Sequence, residues 1–128
     1  MSAPDNQAEP AVAFDGSNFL VVWTDGRNGS CIYAARVAPQ GTVLDPTGFV
    51  VSQGGSDRRF PAVGFDGANF FVVWADGRSG DWDIRGTRVT PQGEVLDTSG
   101  LVIFEGSYDQ YAPAIEFDGT DFLVTWEA

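Results

Sequence analysis

The segment PAVAFDGSNFLVVW, Pro10 to Trp23, returns as PAVGFDGANFFVVW, Pro61 to Trp74, and again as PAIEFDGTDFLVTW, Pro113 to Trp126. The copies begin 51 and 52 residues apart. A period of this size constrains the fold more than any single motif. It requires stacked supersecondary units, none able to bury its apolar face alone. The 128 residues divide into repeat 1 (10–60), repeat 2 (61–112) and a partial repeat 3 (113–128), all within one domain.

Each full repeat reads as four short strands. In repeat 1 the first is Pro10–Phe14, closed by an Asp15-Gly16 turn. The second, Asn18–Thr24, is a nearly continuous apolar run, the pattern of a strand covered on both faces. Asp-Gly between two apolar runs signals a hairpin. A loop from Asp25 to Ser30 leads to a third strand, Cys31–Val37. After a turn at Ala38-Pro39-Gln40-Gly41, the fourth strand lies within Val43–Ser52, interrupted by Asp45-Pro46-Thr47-Gly48. Repeat 2 follows the same order with Pro61–Phe65, Asn69–Ala75, Asp83–Val89 and Val95–Phe104. No stretch combines helical spacing with caps, so no helix is expected.

Four antiparallel strands per repeat of about 40–50 residues are the pattern of propeller blades. The residues that sharpen this are Pro10-Ala11, Asp15-Gly16, Trp23-Thr24-Asp25-Gly26-Arg27-Asn28-Gly29 and Ile32-Tyr33. Their counterparts are Pro61-Ala62, Asp66-Gly67, Trp74-Ala75-Asp76-Gly77-Arg78-Ser79-Gly80 and Asp83-Ile84. This series resembles the repeat of TolB-type β-propellers over three strands of each full repeat and two of the third. It departs in a longer connection to the fourth strand and a longer period. The resemblance implies an all-β fold of four-stranded antiparallel blades, two full and one half, serving as a non-enzymatic binding scaffold outside the cytoplasm, extracellular or periplasmic. Closure needs at least four blades. The expected partner is therefore a second copy, through unpaired blade edges, or the remainder of a longer propeller, and the isolated chain is not expected to be a stable monomer.

Composition removes several chemistries. Eighteen acids against seven bases give a net charge of −11. Phosphate backbones and anionic membrane surfaces are repelled by such a chain. No apolar run approaches the ~20 residues of a membrane-spanning helix, and the start of the chain shows no signal-peptide pattern. All seven bases are arginine; the chain has neither lysine nor histidine. Histidine-based triads, Schiff bases and His/Cys zinc sites are thereby excluded. The single cysteine, Cys31, forms no intrachain disulfide.

The candidate site residues divide by whether they recur. Asp25/Arg27 and Asp76/Arg78 recur after the second strand, which favours a structural pair over an anion site. Trp23, Trp74 and Trp126 share one repeat position and read as packing residues. Loops after the second and fourth strands differ between copies and share one face, where binding residues tend to sit. On that face Trp82, Arg85, Tyr108, Tyr111, Arg58 and Arg59 are the candidates for stacking or contacting a carbohydrate or peptide. Asp76, Asp81 and Asp83 form an oxygen-rich loop that could take calcium, although the spacing is not that of an EF-hand. Carboxylates that could pair for glycoside chemistry (Glu105, Asp109, Glu116, Asp118) carry no mark of their own. Beside the scaffold reading stand two alternatives: a lectin-like module built on Trp82, and the non-catalytic propeller part of a larger hydrolase.

Overall fold

The computed structural model describes residues 7–26, 30–54, 57–78, 80–105 and 111–127. These contain ten strands: β1 Gln7–Phe14, β2 Phe19–Asp25, β3 Cys31–Val37, β4 Phe49–Ser52, β5 Arg58–Phe65, β6 Phe70–Asp76, β7 Asp83–Val89, β8 Leu101–Phe104, β9 Tyr111–Phe117 and β10 Phe122–Glu127. They form three antiparallel sheets in chain order, β1-β2-β3-β4, β5-β6-β7-β8 and β9-β10. The described residues include no helix. The all-β expectation and the four-four-two division of strands therefore hold.

Three local differences from the sequence expectation have physical causes. The first strand of each full repeat begins at Gln7 or Arg58, three residues before its proline. The ladder shifts register between Ala8 and Ala11, and between Arg59 and Ala62. Pro10 and Pro61 sit in these bulges, where a missing N–H removes no ladder bond. The residues before them, Glu9 and Phe60, adopt φ of 55° and 56°. The Asp-Gly hairpins close through four-residue loops, one residue longer than the expected strand bounds leave, since Phe14 pairs with Phe19 and Phe65 with Phe70. Asp15 Oδ1 accepts from the Ser17 and Asn18 amides at 2.7 Å each; Asp66 and Asp118 do the same in their repeats. The carboxylate, more than the glycine, organises the turn. Finally, β4 and β8 hold only four residues each. The chain first makes an isolated bridge, Val37 to Val43 or Val89 to Val95. Asp45 then closes a bidentate pair on Arg36 at 2.8 and 3.0 Å, and Asp97 one on Arg88 at 3.0 Å. That clamp explains the long connection between third and fourth strands.

The sheets stack in chain order, each using two different faces. Alternation places Leu20, Val22, Ala11 and Ala13 on one face of the first sheet. These pack with Val63, Phe70, Val72 and Trp74 of the second sheet in one core. The opposite face of the second sheet meets the third: Phe71 and Phe122 lie edge to face at 5.4 Å, and Phe104 stacks on Trp126 at 4.9 Å. Gly64 permits this approach, because a Cβ there would lie 3.0 Å from the Phe122 ring. The face of the first sheet turned away from the second carries Trp23, Cys31, Tyr33 and Ala35, with Val21, Val43 and Val50 against them. Gly48, at φ 72°, passes under Trp23, and Gly100, at φ 80°, under Trp74. Trp23 and Trp74 are buried, whereas Trp126, at the same repeat position, is half-buried against Phe104.

Candidate functional site

Antiparallel pairing brings one end of every strand in the first two sheets together. Asp25 pairs with Cys31, Ile32 with Ser52, Arg58 with Asp76 and Asp76 with Asp83. The loops that differ between copies all leave from this end. At its centre is Asp76, fully buried at the end of β6. Trp74 Nε1 donates to its Oδ2 at 2.9 Å. Arg78 donates from its backbone amide, Nε and Nη2 at 3.0, 2.9 and 2.8 Å. Arg58 Nε stands 3.5 Å from Oδ2. Burial raises the Asp76 carboxyl, but the bonds from Arg78 and Trp74, with Arg58 nearby, outweigh it and hold the group below its ordinary value. Asp25 accepts from Trp23 Nε1 at 2.7 Å in the first sheet; its expected partner Arg27 lies outside the described residues.

Arg58 opens β5 and is itself buried, so it belongs to a strand and not to the variable loop after the fourth strand. Its Nε donates to Ser52 Oγ at 2.9 Å and its amide to the Ser30 carbonyl at 2.8 Å. One arginine thus ties the first sheet to the second and supplies charge to Asp76. Burial lowers its affinity for a proton, and Asp76 pulls the other way, with Arg78 and Arg85 adding repulsion. A guanidinium keeps its charge regardless.

The other candidates occupy the rim. Arg59 reaches Glu9 of β1 at 3.0 Å and lies over the Phe60 ring at 5.2 Å. Glu9 also accepts from Thr24 Oγ1 at 2.6 Å and from the Phe60 amide at 3.1 Å, joining β1 to β5 at the two bulges. Arg85 lies in β7 opposite Trp74, with Nη2 3.8 Å from Glu105 Oε2 and a buried Nε that has no hydrogen-bond partner. Trp82 is half-buried beside Gly77. Asp81 is exposed and Asp83 buried at the start of β7. Tyr108 lies outside the described residues, as does the side chain of Tyr111. Arg58 and Arg78 are therefore brought together at Asp76, with Arg85 near enough to Arg58 to repel it, while Arg59 and Trp82 stand apart at the edge. No cluster of three acidic, Cys or His side chains suited to a metal ion occurs among the described residues. Both Asp76 oxygens are committed to nitrogen donors, which leaves that carboxylate poorly suited to calcium.

Sequence reasoning passed over Glu9, Ser52 and the Arg36–Asp45 and Arg88–Asp97 pairs. The last two were detectable: Val-Leu-Asp recurs at 43–45 and 95–97, each following an arginine nine residues before the aspartate. Glu9 and Ser52 carry no such signal, because their partners belong to other strands. No family model matches this chain, and no curated protein matches its sequence.

Proposed function

We propose that the chain is a section of a β-propeller-type repeat array acting as a non-enzymatic binding scaffold. One observation carries this reading: the first strands β1, β5 and β9 neighbour one another, each opening a sheet stacked on the one before through the same pair of faces. Radial arrays of blades are built in this way. Framework devices recur between units: the Asp turn, the Trp–Asp bond and the Arg–Asp clamp. The units differ at the end that carries the 77–82 and 53–57 loops. Ligand recognition is assigned to that end, with Trp82 and Arg59 at its rim. The buried Asp76 cluster is assigned to holding the fold.

Glycan and peptide arrays probed with the native chain test this. Binding that falls at least tenfold in Trp82→Ala or Arg59→Ala, with the melting temperature little changed, is the expected result. Binding untouched by either substitution, or turnover of an arrayed substrate, would overturn it.

A further inference from the structure

The two outer faces of the stack are counterparts of faces that are covered inside it. Val12 of β1 is 57% exposed, whereas Val63, its equivalent in β5, is 9% exposed because the first sheet covers it. Phe14 is exposed, but its equivalent Phe65 packs against the core. At the other end, Leu123 of β10 is 65% exposed, whereas its equivalent Leu20 is fully buried under the second sheet. Around Leu123 lies a shallow hollow lined by Ala114, Ile115, Glu116 and Thr125. The same position on the first sheet, between Ala11, Ala13, Leu20 and Val22, receives the second sheet.

We infer that a second copy of this chain docks head to tail, setting the Val12, Phe14 and Val21 face of its first sheet on the Leu123 face of the third. The occupant is chosen by the chain's own interface: the first and second sheets already meet through these two faces in this order. Thr125 replaces Val22 and Val73 with little change in shape. Glu116 replaces Ala13 and Gly64 and adds a carboxylate at the rim of the hollow. Burying it beside a net charge of −11 opposes assembly, so the association is weaker than the internal contact and strengthens with salt. A heterologous contact of this kind generates a ring where the rotation closes. The inference rests on the stacked-blade reading but not on the ligand assigned to the loops.

Light scattering across a concentration series, on the native chain and on Val12→Asp and Leu123→Asp, tests it. Both residues are exposed in the single chain, so each variant is expected to fold and to melt where the native chain melts when diluted below its assembly range. The native chain should assemble, each variant alone should stay monomeric, and an equimolar mixture should form a dimer through its one intact interface. That recovery also shows that both variants are folded. A native chain that stays monomeric overturns the inference, as does a Leu123→Asp chain that assembles normally, or a mixture that yields no dimer. Array binding that fails while the mixed dimer forms would remove the loop assignment alone.

Discussion

Replacing Asp76 with alanine removes a single carboxylate that serves two arginines and a tryptophan. Arg58 is buried and cannot turn to water; Arg78 is about a quarter exposed and can. Trp74 Nε1, fully buried, loses its acceptor. Breaking a buried charge pair from one side costs about 3–5 kcal/mol, and the orphaned indole N–H falls within that figure. A chain of this size has roughly 6–19 kcal/mol of stability in total. The melting temperature should fall by about 10–20 °C, at roughly 3–5 °C per kcal/mol. Arg78→Ala should cost less, about 1–2 kcal/mol, because Asp76 keeps Arg58 and Trp74. The double variant Arg58→Met/Asp76→Leu should recover part of the Asp76→Ala loss, since no buried charge is left unmatched. Calorimetry or thermal circular dichroism measures all three against the parent. An Asp76→Ala chain that melts within about 3 °C of the parent would refute the reasoning.

Two further outcomes are expected. Gly48→Ala places a Cβ 2.9 Å from the Trp23 ring at a φ of 72°, while Gly16→Ala, at φ 96°, meets nothing within 4 Å. Urea titration should show a loss of about 2–4 kcal/mol for the first and about 1 kcal/mol for the second; equal losses would contradict the packing account. Acidification should also destabilise the fold. Hydrogen bonds from Arg36 and Arg88 hold Asp45 and Asp97 below their ordinary values, and Asp76 is likewise depressed. Below about pH 4 the unfolded chain therefore binds more protons, so this stability is complete above that pH and lost as pH falls through the folded values. Melts between about pH 2 and 7 should show a steep acid limb that Asp45→Asn flattens while lowering stability at neutral pH; an unchanged limb would remove Asp45 from the account.

Local features were legible in the sequence. Phe-Asp-Gly followed two residues on by Asn or Asp placed the hairpins, because the carboxylate bonds only to amides two and three residues away. The apolar runs located β2 and β6 to within a residue, because such a run is contiguous in the chain. The role of Arg58 was not legible. Its partners lie in β4 and β6, and nothing in the residues beside it distinguishes a buried arginine from one on a loop. The same holds for Glu9, which reads as part of a polar start yet joins two first strands at their bulges.

The sequence by itself determined the period, the antiparallel hairpins and the absence of histidine and lysine chemistry, because each depends on neighbours along the chain or on composition. It could not determine burial. Val12 and Val63 are the same residue at the same repeat position, yet one is open and the other covered. Trp23, Trp74 and Trp126 likewise share a position but not an environment. Only the stacking of sheets decided these differences, since the water excluded from a strand's face is excluded by the sheet packed against it.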